Sequence, residues 1–179
     1  MKTHSESEEN YIKALYHLGG GDAVSNGALA QRVGAKGPSA TQAVKRLASK
    51  GLAEVIPYKG VKLTSEGLAL AKHILRKHRL WETFLVEKLG FGWEEVHPLA
   101  EQLEHVQSGE LVEKLATYLG SPIHDPHGDP IPQADGAIPP TMGEPLQQFS
   151  EGSRLRVVRV EDAGTDFFNQ LDQLNISLG

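Results

Sequence analysis

The segment from residue 26 to residue 63 restricts the possible folds most, because glycine and proline divide it into short elements. Residues 26–33 have apolar side chains at helical spacing. Residues 34–37 contain two glycines that interrupt this helix, and Pro38 suits the first turn of a second helix over residues 38–50. Two short helices joined by a tight turn are typical of a helix-turn-helix unit.

A β-hairpin follows the second predicted helix. Gly51 ends the helix, and residues 52–56 and 61–63 alternate apolar and polar side chains as strands do. The turn Pro57-Tyr58-Lys59-Gly60 between them has residue types typical of a tight connection. The segment as a whole predicts a winged helix-turn-helix domain.

The same segment is strongly basic within an acidic chain. The protein has a net charge of -5 at pH 7, yet residues 26–63 contain seven lysines and arginines and a single acidic residue, Glu54. A local basic block is the electrostatic footprint of a DNA-binding module. A small helical bundle with a solvated basic face is the alternative.

The second predicted helix has one face that can pack, through Ala40, Val44 and Leu47, and one that can reach DNA. Gln42 is a candidate partner for adenine, and the basic side chains suit phosphates. The residues predicted to lie at double-stranded DNA are Lys36, Pro38, Ser39, Thr41, Gln42, Lys45, Arg46 and Lys59.

A second pattern, HPLAEQLEH at residues 97–105, indicates metal binding. At about 100° per residue, its donors fall within roughly a quarter-turn of a helix, opposite three apolar residues. The donors are His97, Glu101, Glu104 and His105, and the apolar residues are Leu99, Leu103 and Val106. Imidazoles and carboxylates can bind Mn2+, Fe2+ or Zn2+. A solvated helix face with a modest Glu101–His105 pair is the alternative.

His78 and Glu82 form a further i,i+4 pair on a helix predicted over residues 65–89. The chain has no cysteine, so disulfides and cysteine nucleophiles are excluded and every metal ligand must offer nitrogen or oxygen. A metallohydrolase could use the same residues, but the chain has no HExxH motif and no separate base stands out. A metal site is the preferred interpretation.

The composition is that of an ordinary soluble protein. The chain has 179 residues, of which 39% are hydrophobic and 23% charged, enough for one or two compact units. No apolar run approaches the roughly 20 residues of a membrane span, and MKTHSESEEN has no signal-peptide pattern. We therefore expect a cytoplasmic protein without a membrane partner.

Six blocks occur in order within residues 5–132: ENYIKALYHL, VGAKGPSATQAVKRLASKGL, KGVKLTSEG, RKHRLWETFLVEKLGF, VHPLAEQLEHV and GDPIP. Together they resemble the diphtheria-toxin-repressor family, in particular its manganese-transport-regulator branch. The resemblance implies a homodimeric, metal-activated transcriptional repressor that binds a palindromic operator. It also implies an N-terminal winged helix followed by a helical metal-binding and dimerisation domain.

The resemblance implies a primary metal site at Asn10, Glu101, Glu104 and His105. Asn10 departs from the family, which has methionine or aspartate there; its side-chain carbonyl can bind a cation but adds no charge. Glu8 and Glu9 are neighbouring substitutes. Lys13 stands where one type of manganese regulator has a glutamate.

An ancillary site is implied at His78, Glu82, His97, Asp125 and His127. The last two match a cysteine and a histidine of other manganese-type members, and turn chemistry in HDPHGDP is the alternative explanation for them. Because Glu101 stands where iron-type relatives have cysteine, all implied donors are oxygen or imidazole. Mn2+ is the expected metal and Fe2+ is tolerated, while Zn2+, Co2+ or Ni2+ can occupy the same donors in vitro.

The chain changes character after His127. Residues 128–144 are rich in proline and glycine, which predicts an extended linker. Residues 145–179 predict a strand, an acidic turn and a helix capped by Thr165 or Asp166, which resembles the opening of the family's SH3-like domain. About 35 residues are too few to close that barrel. The positions that supply ligands in relatives are Gly164 and Phe167, whose side chains cannot coordinate.

The combined prediction is a mainly α protein with a small β wing. The expected segments are a winged helix-turn-helix DNA-binding domain at 1–73, a helical metal-binding and dimerisation domain at 74–127, a linker at 128–144 and a partial SH3-like segment at 145–179. The predicted function is repression of metal-homeostasis genes in response to Mn2+. A metal-independent winged-helix regulator or interaction module is the alternative, because fold alone does not fix function.

Overall fold

The computed structural model of the chain describes residues 4–161 and 165–178. The elements, in chain order, are α1 (Glu6–Gly19), α2 (Asn26–Arg32), α3 (Gly37–Ser49), β1 (Ala53–Ile56), β2 (Gly60–Leu63), α4 (Ser65–Leu89), α5 (Val96–Leu103), α6 (Gly109–Tyr118), a short 3-10 helix (Leu146–Gln148) and α7 (Thr165–Gln173). Two compact units, residues 1–75 and 76–179, divide the chain within α4. None of the helices in the described ranges combines the length and the apolar character needed to cross a membrane.

The first unit has a three-helix core beside a β-hairpin. Ile12 of α1, Leu29 of α2 and Leu47 of α3 are fully buried in one hydrophobic cluster, together with Val61 of β2. These residues recur at the spacing that places one apolar face of each helix inward. The opposite face of α3 is left for solvent.

Local signals set the helix ends in this unit. Ser5 and Glu8 form a capping box at the start of α1, since each side chain accepts from the other's backbone N–H. The Ser25 hydroxyl accepts from the Ala28 N–H at the start of α2, and Pro38 occupies the first turn of α3. α2 and α3 each end one residue before the predicted helix end, at Arg32 and Ser49. Differences of one or two residues are usual at helix ends, which fray.

The hairpin is the wing that the sequence predicted. β1 and β2 pair antiparallel with Ile56 opposite Gly60, and the Val24 N–H donates to the Val61 carbonyl at 2.8 Å. Gly60 has φ 116°, and a Cβ there would lie 2.0 Å from the Val24 carbonyl oxygen. Glycine alone fits this position. The winged helix-turn-helix prediction is confirmed.

The second unit contains the C-terminal part of α4 together with α5 and α6. Its hydrophobic core consists of Leu80, Val112, Leu115, Ala116 and Ile131. Ile131 belongs to the segment expected to be an extended linker, yet it is fully buried and its N–H donates to the Ile123 carbonyl at 2.9 Å. An apolar side chain therefore anchors the first part of this proline-rich segment, which the composition did not predict.

The helix α5 is shorter than the pattern HPLAEQLEH predicted. It ends just before Glu104, which is its C-cap residue, and His105 lies beyond it. The packed side also differs, because Val96 and Ala100 are the buried residues of the helix whereas Val106 is exposed. Of the four predicted donors, His105 therefore lies beyond the regular helix.

The C-terminal segment contains a helix but no strand in its described part. Residues 144–161 are irregular apart from the 3-10 helix, and α7 follows. A strand without a partner cannot complete its ladder of hydrogen bonds, and here the Val160 N–H donates to the carbonyl of His127 instead. The predicted SH3-like segment is not confirmed. Gly164 and most of the predicted acidic turn lie outside the described residues.

Candidate metal centre and nucleic-acid interface

The polar side of α3 is open to solvent. Seven predicted DNA contacts are exposed: Lys36, Pro38, Ser39, Gln42, Lys45, Arg46 and Lys59. Thr41 differs because it is half-buried and its hydroxyl donates to the Gly37 carbonyl at 3.0 Å, so it supports the first turn of α3. Tyr58 was not predicted as a contact, and its fully exposed ring stands beside Lys59 at the hairpin turn. Tyr58 is uncharged and follows no helical or strand spacing, so the turn sequence did not indicate it as a DNA contact.

His78 and Glu82 of α4 lie against His97 of α5. The Nε2 atom of His78 is 3.0 Å from Oε1 of Glu82 and 3.1 Å from Nδ1 of His97. Oε1 of Glu82 is 3.3 Å from Nδ1 of His97. Three donor atoms that lie within 4.8 Å of one another can surround a cation. The i,i+4 spacing aligns the first two residues, and tertiary packing adds the third.

Glu82 also faces two donors in the loop after α6, Asp125 and His127. All three side chains are buried, and Oε2 of Glu82 is 3.8 Å from Nδ1 of His127. The other oxygen of the same carboxylate faces His78. One glutamate therefore joins two groups of donors into a single five-residue cluster.

Hydrogen bonds hold the two loop donors in place. Oδ1 of Asp125 accepts from the backbone N–H groups of His127 and Asp129, both at 2.9 Å. The Nε2–H of His127 donates to the Trp93 carbonyl at 2.8 Å. The turn chemistry that served as the alternative explanation is thus present. It leaves Nδ1 of His127 to face Glu82.

Glu82 carries a negative charge in the cluster. Burial alone would raise the pKa of Glu82, but the charge of His78 and hydrogen bonds with His127, His78 and His97 hold that pKa well below its usual range. The carboxylate is therefore a ready ligand for a cation.

The two loop donors have pKa values that move in the same direction. Burial, followed by the charge of Glu82, raises the pKa of Asp125 to about 7 against the opposing effect of Arg79. Burial lowers the pKa of His127, but hydrogen bonding to Glu82 and the charge of that residue outweigh burial and raise it to about 9. A cation that binds at Nδ1 of His127 must displace a proton there at neutral pH.

The sequence reasoning did not predict Arg79 or Trp93 as part of this region. The Nε atom of Arg79 is 3.5 Å from Oδ2 of Asp125, and its Nη2 atom is 3.7 Å from Oδ2 of Asp129. Arg79 follows His78 directly, so a basic residue beside a candidate ligand was the available signal. The role of Trp93 rests on its backbone carbonyl, which no sequence pattern reveals.

Glu101, Glu104 and His105 do not form a comparable group of three donors in the described residues. Glu104 is fully buried and its Oε2 is 2.6 Å from Nδ1 of His78. Nε2 of His105 is 3.9 Å from Oε1 of Glu104, and the half-exposed Glu101 has its Oε1 3.6 Å from Nε2 of His97. The side chains have different neighbours, since Glu104 lies against His78 of α4 while Glu101 lies beside His97 at the surface. The predicted primary site stays a prediction.

The remaining predicted ligand, Asn10, lies on α1 in the first unit and is exposed. Glu8, one of its possible substitutes, is buried and has Lys50 Nζ 2.7 Å from its carboxylate. Burial opposes the effect, but this ion pair and the capping N–H lower the pKa of Glu8. Glu8 therefore joins α1 to the end of α3, which is a structural task.

Two family models match the chain in order. The first, "Iron dependent repressor, N-terminal DNA binding domain", matches residues 3–61, and the second, "Iron dependent repressor, metal binding and dimerisation domain", matches residues 64–133. The chain belongs to the iron-dependent repressor family. The resemblance that the six sequence blocks indicated is confirmed.

Relatives in the iron-dependent repressor family are repressors by name. The iron-dependent repressor IdeR of Mycobacterium tuberculosis is 38% identical over 128 residues, which cover 71% of this chain and 56% of that protein. The diphtheria toxin repressor of Corynebacterium glutamicum is 32% identical, over 98% of this chain and 86% of that protein. The chain thus spans little more than half the length of the mycobacterial relative.

A solved structure of a repressor is similar to nearly the whole chain. A manganese-dependent transcriptional repressor in complex with manganese matches with a TM-score of 0.84 and 38% identity, over 96% of this chain and 79% of that one. This solved relative, like the two above, is a repressor by name.

Proposed function

We propose that the protein is a metal-dependent transcriptional repressor that binds double-stranded DNA as a homodimer and controls genes of metal-ion homeostasis. The observation that carries the proposal is the cluster in which Glu82 joins His78, His97, Asp125 and His127. The exposed side of α3 supports the DNA-binding part, since its polar and basic residues suit base edges and phosphates.

The donor set fits a divalent cation, and Mn2+ best. Its ligands are carboxylates and imidazoles without a thiolate, which suits Mn2+ and tolerates Fe2+. Asp125 and His127 fit in geometry too. A backbone carbonyl holds Nε2 of His127 and leaves Nδ1 toward Glu82, and backbone N–H groups hold Asp125 within the same group of donors. The similarity to a manganese-dependent repressor supports the same choice.

The ligands come from three segments of the second unit. α4 contributes His78 and Glu82, α5 contributes His97, and the loop after α6 contributes Asp125 and His127. A bound cation supplies the positive charge that allows the carboxylates of Glu82 and Asp125 to stay ionised side by side. By fixing the three segments together, these ligands favour one conformation of the unit, which is the differential interaction that a metal switch requires.

Selection of duplexes from a random DNA pool tests the proposal. The full chain is incubated anaerobically with Mn2+, with Fe2+ or with a chelator, and bound duplexes are sequenced. We expect enrichment with Mn2+, loss of enrichment with the chelator, and palindromic recovered sites. Equal enrichment with the chelator would refute metal dependence, and a single asymmetric site would refute binding as a homodimer.

A variant in α3 tests the DNA-binding surface separately. Lys45→Ala with Arg46→Ala removes two exposed cations, so we expect the slope of log affinity against log salt to fall by about 2. Lys114→Ala is the matched control, because this exposed lysine lies on α6 and pairs with Glu110. Both variants should keep the Mn2+ affinity of the parent.

A further inference from the structure

α7 contacts the metal cluster through aromatic packing. The ring of Phe168, which is 3% exposed, lies 4.9 Å from the ring of Trp93 and 5.0 Å from the imidazole of His127, centroid to centroid. The Trp93 ring itself stacks on His127 at 6.1 Å with an interplanar angle of 19°. Two aromatic rings, those of Trp93 and Phe168, therefore pack against the imidazole of one proposed ligand, His127.

A hydrogen bond fixes Trp93 to the same helix. The indole Nε1–H of Trp93 donates to Oδ1 of Asp172 at 3.1 Å. Phe168 and Asp172 are four residues apart, so they lie on one side of α7. The neighbouring Phe167 is 40% exposed, so it does not belong to the buried side of α7 that carries Phe168.

The backbone of Trp93 determines which atom of His127 faces the cluster. Its carbonyl accepts from Nε2–H of His127 at 2.8 Å, and Nδ1 is then the nitrogen that points toward Glu82. Metal-binding histidines are commonly oriented in this way, with the second ring nitrogen donating to a carbonyl or carboxylate. The position of Trp93 therefore sets the orientation of the imidazole.

The chain before α7 also lies on the loop of His127. The Val160 N–H donates to the His127 carbonyl at 2.9 Å, and the Arg159 Nε atom is 2.6 Å from Oδ1 of Asp129. Gly128 has φ 84°, and a Cβ there would lie 2.2 Å from the Val158 carbonyl oxygen. The C-terminal segment is thus closely fitted to this loop.

We propose that α7 is a positioning element for the metal centre, in which Phe168 and Asp172 hold Trp93 so that His127 presents Nδ1 to the cation. The inference rests on the proposed function, since it requires metal binding at His127. The C-terminal segment contributes packing and a hydrogen bond to the site, while its Phe167 position offers no ligand atom.

The contact itself is tested in the metal-free full chain, in a Trp81→Phe background that leaves Trp93 as the single tryptophan. We expect Phe168→Ala and Asp172→Ala to shift the Trp93 emission to longer wavelength, because the indole gains water. Phe167→Ala is the matched control, and Asp172→Asn should restore the parent emission because it keeps the acceptor oxygen. Far-UV circular dichroism checks that each variant remains folded. Parent-like emission in Phe168→Ala would overturn the contact.

The consequence for the metal is measured by titration with Mn2+. We expect Phe168→Ala to weaken Mn2+ binding by about 10- to 100-fold, the range found for residues that support a ligand. Phe167→Ala and Asp172→Asn should bind like the parent. Parent-like Mn2+ affinity in Phe168→Ala would overturn the positioning role alone, whereas failure of the parent to bind Mn2+ would overturn the proposed function as well.

The ring nitrogen is identified by NMR of the 15N-histidine-labelled chain loaded with Zn2+, which is diamagnetic. We expect the His127 proton on Nε2 and the metal on Nδ1 in the parent, and loss of this single pattern in Phe168→Ala. A parent spectrum with the metal on Nε2 would refute the assignment. Lower stability of the Phe168→Ala variant would not by itself change which ring nitrogen of His127 binds Zn2+, so this measurement distinguishes a positioning role from a general structural one.

Discussion

Glu82 is the residue on which the proposed centre depends most. Its Oε1 atom contacts the donors His78 and His97, and its Oε2 atom faces His127. Both oxygens of this carboxylate therefore face candidate donors, which lie in two separate groups. The residue is fixed by its i,i+4 relation to His78 and by its own burial, since Glu82 is 3% exposed.

Replacing Glu82 should separate metal binding from folding. Glu82→Gln keeps the size of the side chain but removes the charge, so we expect Mn2+ affinity to fall by at least about 100-fold, beyond the range typical of supporting residues. Competition with a fluorescent chelator measures the change. Glu87→Gln is the control, since Glu87 lies on the same helix and pairs with Lys88 at the surface. Equal affinities of the two variants would contradict the ligand assignment.

Glu8 provides a test of the first unit. Glu8→Gln can retain the capping box but loses the ion pair with Lys50, which is 38% exposed, so the free energy of unfolding should fall by about 0.5 to 1 kcal/mol at pH 7. Folding lowers the pKa of Glu8 below its unfolded value of 4.5. The ionised carboxylate therefore stabilises the fold fully when the pH is above 4.5. This stabilisation is lost as the pH falls through the pKa that Glu8 has in the folded protein.

Urea denaturation followed by circular dichroism measures this effect at several pH values. The parent and Glu8→Gln should differ at pH 7 and converge at acidic pH, below the folded pKa. Glu6→Gln in the same first turn is the exposed control. A difference between parent and Glu8→Gln that persists unchanged at pH 2.5 would refute the role of the ionised carboxylate.

The hairpin shows how one element depends on a single backbone position. Gly60 combines a left-handed φ with direct contact to the carbonyl of Val24, which lies before α2. Backbone groups therefore attach the wing to the segment before α2. In the hairpin itself, Gly60 pairs with Ile56. Basic Lys59 is carried beside this fixed point.

A methyl group at Gly60 should damage the wing. In Gly60→Ala the Cβ would meet the Val24 carbonyl oxygen at 2.0 Å, so we expect a loss of about 1 to 3 kcal/mol in the free energy of unfolding. Gly27→Ala on α2 is the matched control, because its nearest atom is 4.0 Å away and alanine favours a helix. Urea denaturation measures both, and a parent-like Gly60→Ala would contradict this account of the hairpin.

At the level of the whole molecule, the predicted DNA contacts and the five-donor cluster belong to different units. Residues 1–75 contain the exposed side of α3 and the wing, and residues 76–179 contain the five-donor cluster. Both tryptophans, Trp81 and Trp93, belong to the second unit. Tryptophan fluorescence therefore reports the unit that holds the proposed centre.

Metal should stabilise that second unit selectively. At an Mn2+ concentration of about 100 times the dissociation constant, binding to the folded state adds about 2.7 kcal/mol to the free energy of unfolding. Urea denaturation followed by tryptophan emission should show this gain, chelation should reverse it, and Glu82→Gln should lack it. A midpoint that does not move with Mn2+ would count against a metal centre in this unit.

Features that repeat within one element or one turn could be predicted from local sequence patterns. Helical spacing and glycine breaks predicted α2, α3, the wing and the full length of α4, and the pair His78–Glu82 could be placed on one helix side. These features depend on local sterics and hydrogen bonds, which a short stretch of residues contains completely.

Contacts between residues that are distant in the chain depended on the packing of separate elements. Helical spacing alone placed the four donors of HPLAEQLEH on one side of a helix, whereas the family resemblance grouped His97 with His78, Glu82, Asp125 and His127. The packing of α4, α5 and the loop after α6 brings these five side chains close to one another. Ile131 entered the core despite its proline-rich surroundings, and α7 reached Trp93 although no SH3-like strand forms in its described neighbourhood. Packing of separate segments is set by long-range burial and shape, so it overrides local periodicity where the two compete.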